Sequence, residues 1–392
     1  MFPDELPLTS TLSFLTCARC GARHDADALQ GVCTDCGSPL LARYDLAAAR
    51  QAFSRTDLAT RPFTLWRYEE VLPVRDNRFR VTLGEGGTPL LPLPRLGEQL
   101  RLPGLNAKME GVNPTGCFKD RGMAVAVSRA SELGVIELIV PTAGNAGGAL
   151  AAYAARAGLS ARVIMPADAP VPNIAEIRAT GGEVRLVDGL IDEAGRQASQ
   201  VAASGYAFNL ATLREPYRIE GKKTMGYELA EQNGWRLPDV VVYPTGGGTG
   251  LIGMWKAFEE MEALGWIEPG QRPRMVSVQA SGCAPIVAAF RAGHEESIPW
   301  NDARTDAAGL RVPHALGDFM ILKAIYDSRG IAIAISDNEM RDAQQQLGYQ
   351  EGIFAGLEGA ATVAAVHKLR DSGWLAGSET VTLFLTSSGL KG

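Results

Sequence analysis

Two stretches of this chain run from a short apolar segment of strand length, through a glycine-rich loop, into a helical pattern, and they restrict the fold more than any other feature. In the first, Ile136 to Val140 leads into Pro141-Thr142-Ala143-Gly144-Asn145-Ala146-Gly147-Gly148, and the small residues Ala149 to Ala157 follow. In the second, Asp239-Val240-Val241-Val242-Tyr243 passes through Pro244 into Thr245-Gly246-Gly247-Gly248-Thr249-Gly250 and then Leu251 to Leu264. Junctions of this kind aim backbone N–H groups and the positive end of a helix at whatever occupies the loop, which suits a carboxylate or a phosphate. Three consecutive glycines cost conformational entropy on folding, so backbone wrapped closely around an anion such as a phosphate monoester explains them, against the alternative of a plain flexible loop. For the first loop the alternative is a tight helix–strand connection. Neither loop ends in the Gly-Lys-Ser/Thr of a P-loop, and neither has the GxGxxG spacing with a following acidic residue.

Between the junctions, strand-like Arg162 to Met165 and Glu183 to Val187 alternate with helical Asn173 to Thr180 and Leu190 to Ser204. Such alternation predicts a compact parallel α/β unit. Further strands are expected at Met275 to Gln279, Ile331 to Ile335 and Thr380 to Leu385, with helices between them, one from about Ala360 to Leu369. The last strand ends in Thr386-Ser387-Ser388-Gly389, which sets hydroxyls at the carboxyl end of a strand, where open α/β sheets place ligands. At 392 residues the chain exceeds one ordinary core, so at least two packed units are expected.

The stretch Asn113-Pro114-Thr115-Gly116-Cys117-Phe118-Lys119-Asp120-Arg121-Gly122 sets Lys119 between a Pro/Gly turn and a helical run from Gly122 to about Leu133, stopped by Gly134. A lysine near a helix N-terminus faces the positive dipole end, and burial would push it further toward the free amine, a nucleophile toward aldehydes. A surface lysine that merely opens a helix is the bland alternative. Gly84-Glu85-Gly86-Gly87-Thr88-Pro89-Leu90 is a flexible turn, read equally as a loop or as backbone near a ligand. Arg214 to Thr224 concentrates Arg214, Arg218, Lys222 and Lys223, which suits either a solvated surface or an anion site.

Near the N-terminus, Cys17-Ala18-Arg19-Cys20 and Cys33-Thr34-Asp35-Cys36 form two CxxC knuckles, each followed by glycine, Gly21 and Gly37. Four thiolates aimed at one centre complete a closed tetrahedral shell, so Cys17, Cys20, Cys33 and Cys36 are expected to hold a structural zinc. A redox pair, or a ribbon that keeps its cysteines without metal, are the alternatives. Six cysteines, four of them at metal spacing, fit a reducing compartment rather than a disulfide scaffold. The net charge of −6 and the lack of long basic clusters argue against nucleic acid as the main partner, and no apolar run has membrane-span length. Without a signal-peptide pattern, the expected location is the cytoplasm.

The stretch Asn113 to Gly122 resembles the cofactor-lysine motif of threonine synthases, members of the fold type II pyridoxal-phosphate group that also contains tryptophan synthase β chains and threonine dehydratases. The resemblance runs from the ribbon, present in several threonine synthases and in cysteate synthases, to the end of the chain. It implies a fold type II α/β enzyme with two open α/β domains and an N-terminal zinc ribbon. The expected division is residues 1–42 as ribbon, 43–138 with 215–392 as a large cofactor-binding domain, and 139–214 as a small α/β domain. By position Lys119 inherits the bond to pyridoxal 5'-phosphate, with Phe118 beside it. Asn145 matches the asparagine that meets the cofactor's 3′ oxygen, Gly246, Gly247, Gly248, Thr249 and Gly250 the phosphate cradle, and Thr386 the hydroxyl facing the pyridine nitrogen. Thr142, Ala143, Gly144, Arg218 and Lys222 are expected to touch substrate, with Lys223 as an alternative to Lys222 for a leaving phosphate.

The chain departs from the threonine synthase pattern at Cys117, where serine is usual, at Ala143 and Ala146, at Gly247 and Gly248, at Ala355-Gly356-Leu357-Glu358, and at Ser387-Ser388. The implied reaction converts O-phosphohomoserine and water to threonine and phosphate. The alternatives are a dehydratase or ammonia-lyase acting on serine or threonine, a β-replacement synthase such as cysteate synthase, and a non-catalytic zinc-ribbon binding protein. A small amino-acid substrate and a homodimer complete the expectation.

Overall fold

The computed structural model describes residues 9–142, 144–189, 191–205 and 207–391. They gather into two compact units. One holds the chain up to Gly87 together with Lys119–Thr224, and the other holds Thr88–Phe118 together with the chain from Met225 onward.

In the first unit a four-stranded parallel sheet has the order Glu183–Val187, Ser160–Pro166, Glu137–Pro141, Phe208–Asn209. Its inner strands are apolar runs without polar alternation, as a parallel sheet covered on both faces requires. Successive side chains point to opposite faces, and the packing follows. Leu138, Val140, Val163 and Met165 pack with Met123, Val127, Ala149 and Tyr153, whereas Ile139 and Ile164 pack with Ala194 and Ala198. The helices that supply these contacts are Lys119–Glu132, Asn145–Ala157 and Ile191–Ala203.

The same unit contains a three-stranded antiparallel sheet, ordered Arg23–His24, Leu12–Cys17, Leu40–Tyr44, which carries the cysteine knuckles. The division differs from the expected one here. The segments 43–87, 119–138 and 215–224 belong with the four-stranded sheet, because helix Lys119–Glu132 lays Met123, Ala124, Ala126, Val127 and Ala130 on that sheet's core.

The second unit is built on a six-stranded sheet in the order Ile331–Ile335, Arg274–Ala280, Val240–Pro244, Thr380–Leu385, Gly104–Met109, Leu90–Pro92. All neighbours are parallel except the last pair. Helix Leu357–Asp371 packs its alanine- and valine-rich face on the sheet's core. Strand Gly104–Met109 has no apolar signature because Lys108 lies in it, fully buried. Its ammonium is held by Glu228 at 2.8 Å, Gln232 at 2.9 Å and the Thr88 carbonyl at 2.6 Å. Among the described residues no helix is long and apolar enough to cross a membrane.

Candidate active site

In the second unit the turn before the lysine is tied down by a set of main-chain bonds. Gly116, at φ +73°, closes the turn with its N–H on the Asn113 carbonyl at 2.7 Å. The Phe118 N–H then donates to the Thr386 carbonyl at 2.9 Å, the Ser388 N–H donates to the Gly116 carbonyl at 2.9 Å, and Cys117 pairs with Ser387. Segment 116–118 is thus laid against the residues that follow strand Thr380–Leu385, and the next residue, Lys119, opens helix Lys119–Glu132. On the other side of the same segment, Ala355 pairs with Ser388 and the Gly356 N–H donates to the Ser387 carbonyl at 3.0 Å. Three of the departures from the threonine synthase pattern, far apart in sequence, therefore adjoin one another.

The triple-glycine loop leaves strand Val240–Pro244 and enters helix Thr249–Ala263 through Gly248, at φ +76°. Packing gives these glycines a reason of their own: a Cβ on Gly246 would overlap the Gly309 carbonyl, and one on Gly250 would overlap the Tyr243 hydroxyl. Glu358 holds the Gly309 N–H at 2.8 Å, so this carboxylate backs the residue on which the loop rests. The Phe118 ring meets the Tyr243 ring edge-on, with centroids 6.2 Å apart.

In the first unit, Thr142 directly follows strand Glu137–Pro141 and donates its N–H to the Ile164 carbonyl at 3.0 Å, and its hydroxyl accepts from the Gly144 N–H at 3.1 Å. Asn145 is the first residue of helix Asn145–Ala157, and its side-chain oxygen is buried with no hydrogen-bond partner. Ala143 lies outside the described residues. Gly147 and Gly148 serve the tight helix packing, since a Cβ on Gly147 would lie 2.8 Å from both Ile177 and Val163, and one on Gly148 would overlap the Glu176 carboxylate.

The cationic stretch divides. Arg214 is exposed, whereas Arg218, Lys222 and Lys223 are buried at the start of helix Arg218–Gln232. This turn crosses the first turn of the Lys119 helix at two glycines. A Cβ on Gly122 would meet the Arg218 carbonyl at 3.0 Å and the Lys222 Cε at 3.0 Å, and a Cβ on Gly221 would stand 2.9 Å from the Gly122 Cα. Arg121 adds a bond to the Thr224 hydroxyl at 3.0 Å. The Lys223 ammonium is engaged elsewhere, 2.7 Å from Glu220 and 4.0 Å from the centre of the Tyr44 ring. Of the two lysines, Lys222 is the one turned toward the Lys119 helix.

Arg218 donates to the Leu210 carbonyl at 2.5 Å, while its Nε is buried without a hydrogen-bond partner. Burial holds its guanidinium below the ordinary arginine range, against the pull of Glu215. Glu215 accepts the N–H groups of Tyr217 at 2.6 Å and Arg218 at 2.9 Å, and burial pushes its carboxyl up to about 7. Sequence reasoning passed over Glu215; an acidic residue just before a helix start is the signal that could have found it.

The four knuckle cysteines converge. Their sulfurs all lie within 4.8 Å of one another, with Cys17–Cys36 at 3.4 Å, Cys20–Cys36 at 3.6 Å and Cys20–Cys33 at 3.7 Å. In a four-thiolate zinc shell, with each sulfur about 2.3 Å from the metal, neighbouring sulfurs stand about 3.8 Å apart. Gly21 and Gly37, at φ +76° and +70°, each turn the chain back onto the first cysteine of their knuckle. The Cys36 thiol is drawn down to about 6 by hydrogen bonds from Ser38 and Cys17.

Residues 81–387 match the family described as pyridoxal-phosphate dependent enzyme. The chain belongs to that family. A threonine synthase of Methanocaldococcus jannaschii is 37% identical to this enzyme over 376 residues, 96% of this chain and 92% of the relative. Another, from Mycobacterium leprae, is 35% identical over 331 residues, 84% of this chain and 89% of the relative. Among solved structures, maize serine racemase aligns with a TM-score of 0.67 at 22% identity, covering 77% of this chain and 88% of its own. The processed form of threonine deaminase isoform 2 from Solanum lycopersicum aligns with a TM-score of 0.65 at 21% identity, over 77% and 79%. These two likenesses concern the fold, which is the type II architecture expected from the sequence.

The enzyme's own residues fit the cofactor. The Asn145 amide has hydrogen-bonding capacity left for a ligand, and the loop at Gly246–Gly250 presents a helix N-terminus suited to a phosphate. Lys119 is the first residue of helix Lys119–Glu132, directly after the tied-down turn.

Proposed function

We propose that the enzyme is a threonine synthase that converts O-phosphohomoserine and water to threonine and phosphate. The observation that carries this reading is the Gly122–Gly221 crossing, which sets the buried Arg218 and Lys222 against the first turn of the helix that Lys119 opens. A buried guanidinium with an unpartnered Nε calls for an anion, and a substrate phosphate supplies one beyond the α-carboxylate that every amino-acid substrate carries. The names of the curated relatives support the same reaction.

In this reading Lys119 binds pyridoxal phosphate, Asn145 and Phe118 orient its ring, Gly246–Gly250 receive its phosphate and Thr386 faces its ring nitrogen. The cofactor, when bound, absorbs the charge left on substrate carbon as protons leave. Lys119 moves those protons among the α, β and γ carbons. Thr142, Ala143 and Gly144 meet the substrate's carboxylate end, and Arg218 with Lys222 receives its phosphate. Cys17, Cys20, Cys33 and Cys36 hold one structural zinc, and the enzyme works as a homodimer in the cytoplasm.

The test is a graded series. Arg218→Lys keeps the charge but loses the paired donors of the guanidinium, and Arg218→Ala loses both. Phosphate release from O-phosphohomoserine is expected to fall in the order wild type, lysine, alanine, with cofactor content unchanged and Lys119→Ala as the inactive reference. Equal turnover by wild type and Arg218→Ala would remove the substrate-phosphate reading and favour a dehydratase.

A further inference from the structure

Among the described residues the cysteine-bearing segment meets the rest of its unit at several places, and three of them involve helix Lys119–Glu132 or the chain that leads into helix Arg218–Gln232. The loop between the knuckles is held from the Lys119 helix: buried Arg129 donates to the Ala26 carbonyl at 2.8 Å and to Asp27 at 2.8 Å, and Arg75 closes on Asp27 at 2.7 Å. The far end of that loop lies against the cationic stretch, where a Cβ on Gly31 would stand 3.2 Å from the Arg214 carbonyl. The third place is chemically the most specific. Tyr44, last residue of strand Leu40–Tyr44, donates its hydroxyl to Glu220 at 2.9 Å while its ring lies beneath the Lys223 ammonium at 4.0 Å. Glu220 and Lys223 form a 2.7 Å ion pair whose side chains have no solvent exposure.

We propose that the ribbon is an internal brace for substrate binding, with Tyr44 as the positioning residue that holds Glu220 and Lys223 and so fixes the turn bearing Arg218 and Lys222. A buried ion pair tolerates little misplacement, because each charge depends on all its partners for the solvation it has lost. The Tyr44 hydroxyl given to Glu220 is therefore one of the contacts that place the pair, and Glu220 lies in the same helical turn as Arg218. Strand Leu40–Tyr44 is paired along its length with Leu12–Cys17, with Leu40 opposite Cys17 and Tyr44 opposite Leu12, so the brace is anchored at the knuckle itself. The reading of Arg218 as the residue that meets substrate phosphate underlies this inference.

The experiment uses the cofactor-loaded enzyme and the variants Tyr44→Phe, Glu220→Gln, their combination, and Arg218→Ala. It measures KM and kcat for O-phosphohomoserine, inhibition by inorganic phosphate, the cofactor's visible spectrum and zinc content. Tyr44→Phe keeps the ring beneath Lys223 and removes only the hydroxyl. It is expected to raise KM and the phosphate inhibition constant together by about tenfold, the scale of one hydrogen bond to a charged group. The expected change in kcat is below about twofold by the same measure, with spectrum and zinc content unaltered. The combined variant is expected to be no worse than Glu220→Gln alone, since both act through one contact. Wild-type KM and phosphate inhibition in Tyr44→Phe, when Arg218→Ala has lost both, overturns the brace and leaves the threonine synthase reading standing. Unchanged values in Arg218→Ala overturn that reading and the brace with it. If Tyr44→Phe does not fold, Glu220→Gln alone must show the joint rise, and its absence overturns the brace.

Discussion

Replacing Gly221 with alanine tests the geometry on which the substrate site rests. By helix propensity alone the substitution is favourable, by up to about 1 kcal/mol, because glycine in a helix interior costs that much relative to alanine. The surroundings reverse the sign. The new Cβ would stand 2.5 Å from the Arg121 carbonyl carbon and 2.9 Å from the Gly122 Cα, and both belong to backbone that cannot rotate away. Ordinary carbon contacts begin near 3.5 Å, so the two helix starts must part by about 1 Å. Overpacking of this kind costs roughly 1–3 kcal/mol, which leaves a net destabilisation of about 0–2 kcal/mol after the propensity gain. The effect on turnover is expected to be larger, on the order of a hundredfold, because a displacement of about 1 Å between reacting and binding groups costs that much. Gly195→Ala is the matched control: it lies in helix Ile191–Ala203 of the same unit, and nothing stands within 4 Å of the Cβ it would gain. That variant is expected to gain stability and keep its turnover. Chemical denaturation and steady-state phosphate release measure both. A Gly221→Ala enzyme that behaves like Gly195→Ala would refute the crossing.

Two further outcomes concern the knuckle cysteines and the buried Glu215. Metal analysis is expected to find about one zinc per chain, as closure by four cysteines requires, with Cys20→Ser losing it and hydrogen exchange rising in Leu12–Cys17 and Leu40–Tyr44; zinc-free protein whose ribbon amides stay protected would contradict the site. Burial raises the Glu215 carboxyl from 4.5 to about 7, so the stability its neutral form contributes is whole below pH 4.5 and is lost as pH rises through 7. Glu215→Gln keeps the neutral form at every pH and is expected to overtake wild type across that window by up to roughly 3 kcal/mol, read from denaturation at several pH values; a constant difference between the two proteins would rule this out.

Strands Glu183–Val187, Ile331–Ile335 and Thr380–Leu385 are legible in the sequence to the residue, because each is a bounded run of strand-forming residues. Strand Gly104–Met109 is not, since Lys108 breaks its apolar character and the partner that makes burial tolerable, Glu228, comes 120 residues later. The lysine turn, the glycine loops and the knuckles carry their chemistry in local spacing and so could be read directly. The burial of Lys222 and Lys223 could not, because a local charge cluster resembles solvated surface until distant partners are known, and Tyr44 stands 176 residues from Glu220. Local sequence offers anion binding or a flexible loop for the triple glycine, whereas Gly246 and Gly250 answer to Gly309 and Tyr243, contacts that only tertiary structure supplies.

The pairing of segment 116–118 with 386–388 has a consequence for how such an enzyme changes over generations. The bonds that fix the turn before Lys119 run through main-chain N–H and carbonyl groups of Gly116, Phe118, Thr386 and Ser388, and main chain is indifferent to which side chain hangs from it. Cys117 and Ser387 face each other across that pairing, and Ala355 and Ser388 across the next. Substitutions at these four positions that fit the space change the side chains beside the turn without removing a main-chain bond, so a lineage can drift through new side chains there without passing through a form that has lost its lysine's place.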